Sequence, residues 1–200
     1  MPNSLVASHP EIAPLLSERP QRARLLEAMV SAVAEKGYEA ATVADAVRLA
    51  RVSRGTFYEL FDSKEACLLA GYKAGYEVLE AQISSAVNDA RHWREELRLG
   101  IRAYLQTLEQ DPIFARVYLL EAEVVWAERD QILDRFARRY AKTFAKSGRP
   151  TPPLEALNLL AIGVHALACA RVRAGRGVLD LEDILVGCAV RLVTKEETWT

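Results

Sequence analysis

The chain of 200 residues is long enough for one or two domains and has an ordinary globular composition, with 50% hydrophobic and 26% charged residues. Twenty-six basic residues against 27 acidic ones leave a formal net charge of −1, which excludes a polybasic nucleic-acid coat and a charge-driven disordered chain. A small basic surface is compatible with this total, because attraction depends on the local field.

The sequence predicts a reduced protein of the cytoplasm. Its three cysteines, Cys67, Cys169 and Cys188, are odd in number and far apart, which does not favour a disulfide framework. Residues 1–20 carry Pro, Glu and His where a signal peptide would carry cations and then an apolar block. We expect a flexible N-terminal extension over these residues. We expect no membrane partner, since no apolar run reaches the roughly 18–20 residues that cross a bilayer.

Apolar residues recur at helical spacing through the rest of the chain, and alternation with a period of two is never sustained for long. The first helix is expected to end at Lys36-Gly37, because Gly is the usual residue at the left-handed position after a helix. Its buried face has the spacing i, i+1, i+4, i+5 and i+8, with Leu25, Leu26, Met29, Val30 and Val33. We therefore predict an all-α fold.

Three helices and a tight connection are expected between residues 42 and 87. Thr42 is a good N-cap for the second helix, and Asp45 three residues later makes an acidic capping box. Only the dipeptide Arg-Val separates this helix from the next N-cap, Ser53, and a short third helix ends near Phe61. A long fourth helix then runs from residue 64 towards residue 87.

The remainder of the chain is more apolar and brings the total to about nine helices. Asp111-Pro112 resembles an N-cap followed by Pro at the first helical position, and two Gly residues separate the last two helices. The further helices are predicted at about 93–109, 112–124, 126–147, 153–174 and 180–194.

The second and third helices have the lengths and the short connection of a helix-turn-helix. Phe57 and Phe61 are expected to pack one face of the third helix onto the preceding helices. On the other face, Arg can make a bidentate contact with guanine and Thr can contact a thymine methyl group. A Gly there lets the backbone approach DNA, and a Tyr hydroxyl can donate to a phosphate. That face has Arg54, Gly55, Thr56 and Tyr58.

Residues 53–65, Ser-Arg-Gly-Thr-Phe-Tyr-Glu-Leu-Phe-Asp-Ser-Lys-Glu, resemble the signature of the tetracycline-repressor (TetR) family of bacterial regulators. Lys36-Gly37-Tyr38 and Thr42-Val43-Ala44-Asp45 are also similar to that family, and the likeness extends over about 22–80. The resemblance implies a homodimer that binds a double-stranded DNA operator. It also implies a helix-turn-helix domain over 21–67 and a helical ligand-binding and dimerisation domain over 68–200.

The resemblance also assigns roles to individual residues. It implies that Thr42 and Lys64 bind phosphates at two helix N-termini and that Tyr58 lies at the phosphate-facing edge of the recognition helix. Arg51 stands where the family often has a turn glycine, so it either accepts backbone strain or adds a phosphate contact. The residues expected at the DNA are Thr42, Arg51, Ser53, Arg54, Gly55, Thr56, Tyr58 and Lys64.

A mainly apolar ligand pocket is expected among the fourth, fifth, sixth, seventh and eighth helices. Aromatic residues near aliphatic ones favour a hydrophobic effector over a sugar or a metal. The candidate ligand contacts, chosen by residue type and helix position, are Tyr104, Phe114, Tyr118, Glu121, Trp126 and His165.

The last two helices are expected to form a four-helix seam between two subunits, as the resemblance implies. A purely intramolecular core is the alternative. The candidate interface residues are Leu160, Val164, Leu167, Ile184, Leu185 and Cys188.

These features predict a repressor that a small, hydrophobic effector releases from a palindromic operator. The alternative is a helix-turn-helix regulator that answers to a protein partner or has no ligand. An enzyme is not favoured, because the three His residues are isolated and no metal-ligand spacing, Gly-rich phosphate loop or Ser nucleophile motif occurs. We expect no cofactor and no metal.

Overall fold

The computed structural model describes residues 20–120, 123–146, 148 and 151–194. These residues form nine α-helices and two short 3-10 turns, with no strand among them. The helices are α1 Pro20–Lys36, α2 Val43–Ala50, α3 Arg54–Leu60, α4 Lys64–Ala86, α5 Trp93–Gln110, α6 Pro112–Leu120, α7 Trp126–Ala145, α8 Leu154–Arg173 and α9 Glu182–Thr194. The all-α prediction is therefore confirmed.

The structure differs from the predicted helices at the end of α6, and most of the predicted N-terminal extension is not among the described residues. The predicted helix over 112–124 is shorter, since α6 ends at Leu120 and a separate 3-10 turn covers Glu123–Val125. The expected N-terminal extension lies outside the described residues, apart from its last residue, Pro20, which begins α1.

The chain divides into two compact units. The first comprises the described residues up to Val78 together with Asp111–Trp126, and the second comprises Leu79–Gln110 and the described residues from Ala127 onward. Helix α6 thus belongs with the N-terminal helices. The expected boundary between a DNA-binding domain over 21–67 and a ligand-binding and dimerisation domain over 68–200 stays a prediction.

An aromatic stack joins α4 to α6 in the first unit. The rings of Phe114 and Tyr118 are stacked with their centroids 4.0 Å apart, and the Tyr72 ring lies 4.7 Å from that of Tyr118. The Tyr118 hydroxyl donates a 2.7 Å hydrogen bond to the carbonyl of Gly71. A Cβ at Gly75 would lie 2.1 Å from that hydroxyl oxygen, so only glycine allows this approach.

Ion pairs connect α5 to α9 in the second unit. Arg98 donates 2.8 Å hydrogen bonds to Glu182 and to Asp183. Arg102 makes two more 2.8 Å bonds to the Glu182 carboxylate, one from Nε and one from Nη2. These guanidinium groups lower the pKa of Glu182. The contacts fix α9 against α5.

Helix α8 is unusually apolar. An 18-residue window within Leu154–Arg173 has a mean hydropathy of 1.4, which by length and composition alone would suffice to cross a membrane. This window includes charged residues and is not an uninterrupted apolar run, so the expectation of no membrane partner stays a prediction. The core helix of a soluble protein passes the same test, so the finding establishes only that α8 has apolar residues on more than one face.

Candidate nucleic-acid interface

The N-terminus of α2 is fixed by a capping box. The Thr42 hydroxyl accepts a 3.2 Å hydrogen bond from the Asp45 backbone N–H, and the Asp45 carboxylate accepts a 3.1 Å bond from the Thr42 N–H. The Lys36 ammonium also donates to this carboxylate, and these bonds lower the pKa of Asp45. The predicted cap is confirmed. Thr42 is exposed, and its contact with a phosphate stays a prediction.

The turn between α2 and α3 is made by a residue with left-handed backbone. Arg51 has φ 54° and ψ 49°, and it is the one non-glycine residue with positive φ in the described part of the chain. The Val52 N–H closes the turn with a 3.1 Å hydrogen bond to the Val47 carbonyl. Arg51 therefore accepts the backbone strain, and its exposed side chain carries its charge at the turn.

Helix α3 is short, and its position is set by one cap and one buried ring. The Ser53 hydroxyl accepts a 2.9 Å hydrogen bond from the Thr56 N–H, which fixes the helix N-terminus. Phe57 is fully buried and its ring packs against that of Phe61, with the centroids 5.8 Å apart. As expected, this face of α3 is core, so the opposite face is directed to solvent.

The solvent face of α3 brings together the predicted base-reading residues. Arg54, Gly55 and Tyr58 are exposed, and Thr56 is half-buried. The Arg54 guanidinium lies beside the Tyr58 side chain, with Nη2 3.4 Å from the hydroxyl oxygen. A Cβ on Gly55 would contact only the Ser53 hydroxyl, at 3.5 Å. Packing therefore does not require a glycine there, and the bare backbone leaves room for a partner to approach.

Lys64 has internal contacts that the sequence did not predict. Its ammonium donates hydrogen bonds of 2.8 Å to the Tyr38 carbonyl and 3.1 Å to the Ala41 carbonyl, and it lies 4.1 Å from the centre of the Tyr38 ring. The Tyr38 hydroxyl in turn donates to Glu65, and burial together with this carboxylate raises the pKa of Tyr38 to about 12. Lys64 thus ties the α1–α2 loop to α4. Its phosphate contact stays a prediction.

The comparisons with known proteins agree with this geometry. The profile of the bacterial regulatory proteins of the TetR family matches residues 25–70, which span the helix-turn-helix. The fatty acid metabolism regulator protein of Bacillus subtilis (strain 168) is 26% identical over 123 residues, which are 62% of this chain and 63% of that relative. Both matches support a transcriptional regulator of the TetR type.

Solved structures of regulators share the fold. The fatty acid degradation regulator FadR of Bacillus halodurans superposes with a TM-score of 0.75 at 19% identity, covering 89% of this chain and 97% of that one. FadR of Bacillus subtilis, in complex with stearoyl-CoA, gives a TM-score of 0.72 at 20% identity, with 86% and 97% covered. At these identities the likeness establishes the fold. The aligned part is less than two thirds of the Bacillus subtilis relative matched by sequence.

The predicted ligand contacts are divided between the two units of the chain. Phe114 and Tyr118 are fully buried in the aromatic stack of the first unit, and Trp126, half exposed, begins α7. Tyr104 on α5 and His165 on α8 belong to the second unit. Burial, together with nearby arginines, lowers the pKa of His165 to about 4. Glu121 lies outside the described residues, and the pocket role of all six stays a prediction.

The predicted interface residues fall into a buried group and an exposed group. Leu160, Val164 and Leu185 are buried within the second unit, so they fill its own core. Leu167, Ile184 and Cys188 are exposed. Two further exposed apolar residues on α8, which the sequence analysis did not single out, extend this surface: Leu159 and Ile162, with exposures of 65% and 50%. The sequence could not distinguish core residues from interface residues on α8, because this helix is apolar around most of its circumference.

Proposed function

We propose that this protein is a dimeric repressor whose α3 helices read a palindromic operator. The solvent face of α3 carries the proposal, because Arg54, Thr56 and Tyr58 are presented together by a helix whose other face is anchored by Phe57. In this docking, Arg54 makes a bidentate contact with a guanine and Thr56 contacts a thymine methyl group. Two α3 helices, roughly 34–36 Å apart, would enter successive major grooves on one face of the DNA.

The exposed apolar face of α8 and α9 supports a homodimer. Leu159, Ile162 and Ile184 are each at least half exposed. Within the described residues, a Cβ at Gly163 or Gly187 would meet nothing within 4 Å, although each mid-helix Gly costs about 1 kcal/mol relative to Ala. The absence of a side chain at both glycines would allow the helices of a second subunit to approach closely.

We propose a long-chain acyl-CoA as the effector. The support comes from the relatives, one named as a fatty acid metabolism regulator and another solved with stearoyl-CoA. An acyl-CoA has the hydrophobic part that the sequence analysis favours and adds a phosphorylated headgroup. An effector releases the operator when it binds better to a conformation in which the two α3 helices no longer match the DNA.

Operator selection with the purified full-length protein tests the DNA-binding part. Duplex fragments from a random pool are selected, and the enriched sequence should be a palindrome with half-sites one helical turn apart. The matched control is Arg54→Ala, which should enrich a less specific pool. If wild type and this variant select the same sequence with the same affinity, α3 does not read the operator.

Release of the selected operator tests the effector. The selected operator is labelled with a fluorophore, and its release from the protein is measured. Stearoyl-CoA should release it at micromolar concentration, whereas stearate and free coenzyme A should release it only weakly. If stearoyl-CoA leaves binding unchanged at concentrations below its micelle formation, the acyl-CoA proposal is wrong. That result would favour the alternative, a helix-turn-helix regulator that answers to a protein partner or has no ligand.

A further inference from the structure

A cleft of about 950 Å³ lies within the second unit, and it contains none of the predicted ligand contacts. It is lined by the C-terminal half of α4, the loop before α5, the first turn of α5 and one face of α7. The cleft is concave and large enough for a small-molecule headgroup. Its lining therefore indicates what it would bind.

The lining is strongly basic. It includes six cations, Arg91, Arg135, Arg138, Arg139, Lys142 and Lys146, and two carboxylates, Glu80 and Glu96. Arg135, Arg139 and Lys142 recur on α7 at intervals of four and three residues, so they share one face of the helix, and Lys146 follows just beyond its end. Like charges at these intervals destabilise a helix, and a bound anion would reverse that repulsion.

The internal partners hold the cations in place without neutralising the cleft. Arg139 donates a 2.9 Å hydrogen bond to the hydroxyl of Ser84, which carries no charge. Three of the six cations have a carboxylate partner: Arg135 with Glu80 at 3.0 Å, Arg138 with Asp134 at 2.7 Å and Lys146 with Glu96 at 3.9 Å. Six cations against these three carboxylates leave an excess of three positive charges at the lining.

The cleft also has an apolar wall. Val87, Ala90, Trp93 and Phe136 line it beside the cations. Trp93 is held by edge-to-face packing on Phe144, with the ring centroids 5.3 Å apart. A ligand with both phosphate groups and an apolar or ring-shaped part fits such a lining better than a bare inorganic ion or a uniformly charged duplex.

We propose that this cleft binds the phosphate groups of a small phosphorylated ligand, with Arg139 and Lys142 as the central contacts. Pyrophosphate and phosphate-ester oxygens are the acceptors that arginine and lysine bind most strongly. The narrower assignment, to the headgroup of a coenzyme A thioester, rests on the proposed function. Phosphate recognition rests on the cleft alone.

The test is isothermal titration of the full-length protein, without DNA, using coenzyme A, 3′-dephospho-coenzyme A and inorganic pyrophosphate as probes. All three should bind, with coenzyme A tightest, and higher salt should weaken each of them. The tryptophan fluorescence of the protein should change on addition of coenzyme A, and Trp93→Phe should abolish this change. Pyrophosphate binding alone would support phosphate recognition and overturn the coenzyme A assignment.

The variants locate the site. Lys142→Ala should weaken coenzyme A binding about tenfold and Lys142→Glu about a hundredfold, whereas Lys142→Arg should restore most of the affinity. Arg176→Ala removes an exposed cation that does not line the cleft and should have no effect. Unchanged affinity in Lys142→Glu, or binding of non-operator duplex in place of all three probes, would overturn the proposal.

This design separates the two proposals. Binding of coenzyme A to the cleft without release of the operator by stearoyl-CoA supports the cleft and rejects the effector. Release by stearoyl-CoA that Lys142→Glu leaves unchanged supports the effector and rejects the assignment of its headgroup to the cleft.

Discussion

Replacing Arg51 by Gly and by Ala separates the two consequences of its position in the turn. The backbone at this residue, φ 54° and ψ 49°, is nearly ideal left-handed helix. A non-glycine residue pays about 1–2 kcal/mol there. Glycine removes that cost but loses about 0.5–1 kcal/mol through its greater freedom in the unfolded chain. Arg51→Gly should therefore raise the free energy of unfolding by about 0.5–1 kcal/mol, whereas Arg51→Ala keeps the strain and should leave it unchanged.

The assay is thermal unfolding of both variants beside wild type, at one protein concentration because a dimer's melting temperature depends on it. For a chain of this length the gain corresponds to a rise of about 1–4 °C in the melting temperature of Arg51→Gly. Equal melting temperatures of the Gly and Ala variants would refute the strain argument.

The same two variants test the charge of Arg51 on DNA. If the guanidinium binds a phosphate, both variants bind DNA more weakly by the same factor. The slope of log K against log salt then becomes shallower by about 1 for each phosphate that the protein no longer neutralises. The two effects of Arg51 are thereby distinguished. Its backbone strain makes the Gly and Ala variants differ in stability, whereas the loss of its charge lowers the DNA affinity of both equally. Affinities equal to wild type at every salt concentration would assign the residue to the turn alone.

Further substitutions test the interface and the core. Arg54→Ala should lower operator affinity by about 1–3 kcal/mol and relax sequence preference at one position of each half-site, measured by competition among operator variants; a uniform decrease over all sequences would contradict base reading. Lys64→Ala should weaken binding to all sequences and also lower the free energy of unfolding by about 1–2 kcal/mol, because two carbonyls lose a charged donor. Unaltered stability in that variant would mean that the α1–α2 loop does not depend on the lysine. Gly75→Ala should cost about 1–3 kcal/mol, since its Cβ would overlap the Tyr118 hydroxyl. The control is Gly100→Ala, whose Cβ would meet side-chain carbons at an ordinary 3.7 Å and should be neutral or stabilising. Similar melting temperatures for these two variants would show that the Tyr118 contact does not constrain α4.

The features that the sequence predicted well are local ones. The caps at Thr42 and Ser53 close hydrogen bonds over three residues, so the residue types and their spacing were sufficient evidence. Gly37 ends α1 with φ 80°, as its position indicated. The helix-turn-helix could be predicted because short-range rules fix nearly all of it.

The features that the sequence did not predict depend on residues far apart in the chain. Lys64 was assigned to DNA by resemblance, whereas its ammonium bonds carbonyls 23 and 26 residues away. Tyr118 was selected as a ligand contact for its type, and only the folded chain places its hydroxyl over Gly75. The sequence did not predict the basic face of α7, because the net charge of −1 for the whole chain conceals a local excess of positive charge.

Tyr118 contacts α4 at Gly71 and Gly75, so a tilt of this helix would turn about that point. The helix has 23 residues and is about 34 Å long, so this contact lies about 14 Å from its N-terminal end and about 20 Å from its C-terminal end. If α4 tilts as a rigid rod about that point, a displacement of about 3.5 Å at Ala86 moves Lys64 by about 2.4 Å in the opposite direction. That shift exceeds the reach of the hydrogen bonds from Lys64 to the α1–α2 loop. With the Lys64 side chain held in its present conformation, a tilt of this size would break both of its bonds to the α1–α2 loop, which adjoins the DNA-reading helices.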